Sequence, residues 1–181
     1  MSGARRGATV WLTGLPSAGK STIATEVAAR LRARGRGVEV LDGDEIRASL
    51  SAGLGFGPAD RRTNAERIGF VAELLASHGV LTLAPVIAPY ADSREAVRRH
   101  HRDRDTAYVE VHVATPVEVC SARDVKGLYA RRAAGEISGL TGVDDPYEVP
   151  AAPDLRIATQ DCSAAQAADA VLALLGERGL L

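Results

Sequence analysis

The eight residues Gly14-Leu15-Pro16-Ser17-Ala18-Gly19-Lys20-Ser21 constrain this chain more than any other stretch. They follow a short β-rich run, ATVWLT at 8–13. They precede 21–34, where Ile23, Val27 and Leu31 recur at a spacing of four and mark one helical face. A strand that passes into a helix through Gly14 and Gly19, followed at once by Lys20 and Ser21, fits G-x-x-x-x-G-K-[ST]. The glycines let the backbone curl so that successive N–H groups face an anion, and the helix N-terminus adds its partial positive charge. Lys20 is then placed for the β- and γ-phosphates of a nucleotide and Ser21 for a Mg²⁺ ion. A merely structural glycine-rich turn requires no lysine at that point. The expectation is phosphoryl-transfer chemistry on ATP with Mg²⁺, the nucleotide held by Gly14, Ser17, Ala18, Gly19, Lys20, Ser21 and Thr22.

Composition sharpens the reading of the lysines. Of the 22 basic residues 20 are arginine, so the two lysines, Lys20 and Lys126, call for site-specific explanations. The net charge of −1 gives no basic excess for nucleic acid or an anionic membrane, so neither is an expected partner. The apolar run at 80–88 is strand-sized rather than membrane-spanning. The N-terminal residues 1–7 carry charge with no apolar core behind them, which predicts no signal peptide. Cys120 and Cys162 have no metal-ligand spacing and read as reduced thiols of a cytoplasmic enzyme. His78, His100, His101 and His112 show no ligand spacing beyond an adjacent pair and read as surface or structural residues.

Further along, the pattern predicts strands at 38–41, 80–84, 108–113 and 155–158. Helices are predicted from near Asp44, over 59–78, over 93–102, from Pro116 to Arg123, and from a capping box at Ser163–Gln166 to about Arg178. Strands separated by helices throughout imply an α/β domain with a parallel sheet covered on both faces, one domain over 1–181. The segment 124–153 has little periodicity and reads as irregular and partly mobile.

Asp42-Gly43-Asp44 follows the second strand, at the sheet end where open α/β folds place ligands. Two carboxylates there suit Mg²⁺ waters or a proton from an attacking hydroxyl; a turn with Asp44 as helix N-cap is the structural alternative. Arg47, Arg61 and Asn64 lie close after it, with Phe56 between. Arginine suits an anionic ligand and an exposed aromatic suits a base, while a solvated arginine face with an anchoring Phe remains the plainer reading.

Several blocks together resemble the adenylylsulfate kinase family. They are GLPSAGKST, LDGDEIR, LGFGPADRRTN, APVIAPY and VEVCSARDVKGLYARRAAGEISGLTGVDDPYEVP, and the similarity runs from Val10 to Leu181. The resemblance implies a three-layer P-loop kinase fold with a mobile lid at about 124–141. It implies transfer from Mg-ATP to the 3′-hydroxyl of adenosine 5′-phosphosulfate, giving 3′-phosphoadenylylsulfate (PAPS) and ADP. Asp44 would orient or deprotonate that hydroxyl, with Lys20 as its catalytic partner on the phosphates. Arg47, Phe56, Arg61, Asn64, Ile87, Ala88, Lys126, Gly139 and Leu140 would line the acceptor site, and the turn at Cys162 would sit by the ATP adenine. The family often forms homodimers. Three departures are visible. Ala88 stands where the family's F-I-S-P-Y pattern has a serine, so no phosphoserine forms and transfer is expected to be direct. Leu140 stands where the family usually has phenylalanine, and Ala65-Glu66 replaces an aliphatic residue and arginine. A paralogous P-loop kinase for another small anionic or nucleotide-like acceptor is the alternative these departures keep open.

Overall fold

The computed structural model describes residues 6–181, so the sequence reading of 1–7 falls largely outside it. Five strands form one parallel sheet in the order β2-β3-β1-β4-β5: β1 (Ala8–Thr13), β2 (Val38–Val40), β3 (Leu81–Pro85), β4 (Ala107–Val113) and β5 (Leu155–Ile157). β1 sits between β3 and β4, pairing Ala8 with both Leu81 and Ala107. The chain passes first to one side of β1 and then to the other. The loop after β1 therefore opens at the point where strand order reverses, a crevice for ligands in such sheets.

Side chains of β1 alternate between two cores. Ala8, Val10 and Leu12 join the main cluster with Ile23, Val27 and Leu31 of α1 (Lys20–Ala33) and Val171, Leu172 and Leu175 of α7 (Ala164–Glu177). Trp11 points the other way, fully buried against Ala65 and Ile68 of α3 (Pro58–Ser77) and Val97 of α4 (Ala91–Asp103). These two layers around the sheet are the predicted three-layer α/β architecture. α7 begins on the expected capping box, with Ser163 accepting from the Gln166 amide and the Gln166 side chain from that of Ser163.

Two local expectations are corrected. Asp42, not Asp44, caps α2 (Gly43–Ala48): its carboxylate accepts from the Asp44 amide at 3.0 Å. The stretch after α5 (Val117–Arg123) is more ordered than its weak periodicity implies, because it contains α6 (Leu128–Ala133). Asp124, at φ +31°, turns its carboxylate onto the first-turn amides of Tyr129 and Ala130, at 3.0 and 2.9 Å, and so starts a helix too short to signal itself. No helix among the described residues is long and apolar enough to cross a membrane.

Candidate active site

The loop at 14–19 is shaped by contacts only a few residues can make. A Cβ at Gly14 would lie 2.5 Å from the Val113 carbonyl, and Gly19, which caps α1, sits at φ +102°. Behind the loop the Ala18 carbonyl accepts from two hydroxyls, Thr115 at 3.0 Å and Thr159 at 2.9 Å. Arg123 in turn donates to the Thr159 hydroxyl and carbonyl, at 2.7 and 3.0 Å. Tyr129 of α6 donates to the Pro16 carbonyl at 3.0 Å, and the Val125 amide to Ser17 Oγ at 3.2 Å, so the root of the expected lid is tied to the loop.

Lys20 is 8% exposed and its Nζ donates to the carbonyls of Gly14 (2.9 Å) and Leu15 (2.7 Å). Burial lowers its pKa to about 7, with the charge of Lys126 adding to the effect, while Cys120 and Asp42 oppose it. Ser21 donates to Asp42 at 2.7 Å, so the hydroxyl that ends the loop and the first carboxylate of Asp-Gly-Asp share one place. These are hard oxygen donors of the kind Mg²⁺ takes singly, completing its shell with phosphates and water. The described residues contain no cluster of three or more His, Cys, Asp or Glu able to cage a metal.

Across the cavity, Asp44 is ion-paired with Lys126 from the segment before α6; both side chains are exposed. The Arg47 guanidinium stands 4.5 Å from the centre of the Phe56 ring, which is 64% exposed, and Arg61 stands 5.8 Å from it. Arg61 is buried and largely engaged with main chain, donating to Phe56 O at 2.6 Å and Gly139 O at 2.8 Å. It thereby ties the Phe56 loop to the far end of the lid segment. The Asn64 side-chain oxygen is buried with no hydrogen-bond partner, an unmet acceptor on the cavity wall. The Ile87 carbonyl accepts from the Thr13 hydroxyl at 2.5 Å. Ala88 lies at φ +41°, a conformation that costs a non-glycine residue on the order of 1–3 kcal/mol and persists only where its surroundings hold it.

Every residue the sequence assigned to the site except Gly14 and Ala18 lines one cavity of ≈ 1040 Å³, Thr22 and Cys162 included; Ala18 is fully buried. Leu140 lines the cavity, yet it is 6% exposed and packs into the main core beside Tyr129. Arg123 and Thr159 also face the cavity. Sequence reading passed over them; the one available signal was Arg123 at the entry to the lid segment. Cys120 and Cys162 are both free thiols. His101 is a fully buried structural histidine, bonded to Val97 O and the Thr9 hydroxyl.

The family model described as adenylylsulphate kinase matches residues 6–158. An adenylyl-sulfate kinase of Synechococcus sp. (strain JA-2-3B'a(2-13)) is 50% identical over 175 residues, 97% of this chain and 98% of its own. One from Myxococcus xanthus (strain DK1622) is 49% identical over 179 residues, 99% of this chain and 96% of its own. Among solved structures, the Mycobacterium tuberculosis APS kinase CysC in complex with AMPPNP and APS superposes with a TM-score of 0.92. It shares 46% identity, with 94% of this chain and 98% of that one covered. Both the two halves of the cavity and this likeness along nearly the whole chain lead to one conclusion: the chain belongs to the adenylylsulphate kinase family.

Proposed function

We propose that this protein is an adenylylsulfate kinase: it transfers the γ-phosphoryl group of ATP to the 3′-hydroxyl of adenosine 5′-phosphosulfate, giving PAPS and ADP. The observation that carries the reading is that the phosphate loop and the Asp44–Phe56–Lys126 group open into the same ≈ 1040 Å³ cavity, of a size to hold donor and acceptor together.

The loop amides and Lys20 bind the ATP phosphates. In doing so Lys20 exchanges two carbonyl partners for anionic oxygens that stabilise its charge and balance charge building up in the transition state. Ser21, with Asp42 beside it, would hold Mg²⁺, which when bound neutralises phosphate oxygens. Ser17, Gly19, Thr22 and the Cys162 turn complete the ATP side. Asp44 orients the acceptor hydroxyl and takes its proton, while Lys126 brings positive charge from the lid to the same point. Phe56 offers a stacking face for the acceptor base, and the unpaired Asn64 oxygen receives a donor from it. Arg47, Arg61, Ile87, Ala88, Gly139 and Leu140 form the remaining wall. Ala88 has no hydroxyl, so the phosphoryl group passes in line from ATP to the acceptor. The segment 124–141, within a single kinase domain over 1–181, closes over both nucleotides and excludes water. A cytoplasmic location and a homodimer complete the proposal; light scattering reads the second.

The test is coupled ADP release across an acceptor panel. Turnover with adenylylsulfate well above background is expected; turnover confined to another small anionic acceptor refutes the reading.

A further inference from the structure

We infer that Arg94, which lies outside the cavity wall, is the positioning residue that holds the acceptor floor at 87–89 in register with the phosphate loop. The inference rests on the acceptor assignment just made, since it concerns how that floor is held.

Arg94 sits in the first turn of α4 and is 3% exposed. Its planar fork joins three separate parts of the chain. Nη1 donates to Ala88 O at 2.7 Å, Nη2 to Glu148 O at 2.6 Å, and Nε pairs with Glu110 Oε1 of β4 at 3.1 Å. Glu148 grips the same strand end from outside. Its amide donates to Pro89 O at 2.8 Å and its carboxylate accepts from the Ala91 amide at 2.6 Å. The neighbouring Tyr147 hydroxyl lies 3.0 Å from the Thr13 hydroxyl that holds Ile87 O. The floor is thus fixed from β1 on one side and from the segment downstream of the lid on the other.

Ala88, in its left-handed conformation, is where these restraints meet. Such a conformation survives only when its carbonyl and neighbours are held, and Arg94 holds the carbonyl by a buried, charge-assisted bond. Lysine offers a point charge rather than a fork and cannot reach all three partners at once. Glu110 is also paired with Arg98 at 2.8 Å, so a change at Arg94 does not leave that carboxylate uncompensated. Position and charge can therefore be separated.

Arg94→Lys in the coupled ADP-release assay is expected to raise the KM for adenylylsulfate about tenfold or more, with the KM for ATP within about twofold of wild type. Glu110→Gln leaves both carbonyl bonds in place, so it is expected to lower Tm without an acceptor-specific rise. Glu148→Ala loosens the grip from the exposed side and is expected to raise the acceptor KM about threefold. Equal changes in both KM values for Arg94→Lys, no change in either, or the same split from Glu110→Gln would overturn the inference. Should Arg94→Lys fail to fold, Glu148→Ala decides, and no acceptor-specific rise overturns it. Wild-type turnover reads the acceptor assignment separately: if only another acceptor turns over, the KM comparison is made with that one.

Discussion

In this structure Lys20 is buried and donates to the carbonyls of Gly14 and Leu15, and its burial lowers its pKa to about 7, more than the opposing charges of Cys120 and Asp42 restore. ATP phosphates would supply further negative charge. At pH 8 a lysine with that value is only about one-tenth protonated, whereas beside polyphosphate it carries its full charge. Binding should therefore take up about 0.9 proton at pH 8. Nucleotide phosphates are already ionised at that pH and release nothing to offset it. Calorimetric titration in two buffers of different ionisation enthalpy measures the uptake directly. The affinity should correspondingly fall by up to about tenfold per pH unit between about pH 8 and 10. Lys20→Arg is the control, because its guanidinium stays charged throughout this range and should show almost no uptake. Wild-type uptake below about 0.3 proton, or equal uptake in Lys20→Arg, would refute the argument.

Three further outcomes follow from the same geometry. Because the folded value of Lys20 lies below its unfolded value of 10.5, the unfolded chain holds more protons between about pH 7 and 10.5, and the stability contribution of Lys20 improves as pH rises through that window. Lys20→Met should remove about 2–3 kcal/mol of the rise between pH 6 and 9, read by denaturant titration, and a slope equal to wild type would count against it. Asp44→Asn and Lys126→Met break an exposed pair, so stability should change by less than about 1 kcal/mol while kcat falls about 10²- to 10⁴-fold; a variant with near-normal kcat would remove that residue from the chemistry. Leu140→Phe should lower stability through overpacking, by about 1–3 kcal/mol, and also lower the KM for adenylylsulfate by adding a second aromatic face; an unchanged or raised KM means Leu140 is not the missing half of the clamp.

The strands and most helices were legible because their signals are local. β1, β3 and β4 are short apolar runs buried on both faces, and α7 announces itself through Ser163 and Gln166. What was not legible depends on distant partners. α6 exists because Asp124 turns back onto it and Tyr129 reaches Pro16, neither of which a six-residue window can show. The Asp-Gly-Asp motif lines the cavity, but sequence did not give the division within it, in which Asp42 caps the helix and meets Ser21 while Asp44 faces Lys126. Arg61 read either as an anion binder or as part of a solvated arginine face, yet much of its fork is taken by the Phe56 and Gly139 carbonyls. Arg94 was one arginine among twenty in a polar helix, and only the fold reveals its three partners.

The Ala18 carbonyl carries a consequence for how the molecule comes into being. Its two hydroxyl partners lie at Thr115, after β4, and Thr159, after β5, far along the chain from the loop they shape. A ribosome emits the phosphate loop near the start of synthesis, but Thr115 follows only after β4 and Thr159 near the end. A nascent or truncated chain that stops before β5 carries the complete nucleotide signature without its backing. The first motif to be translated thus depends for its shape on hydroxyls translated much later.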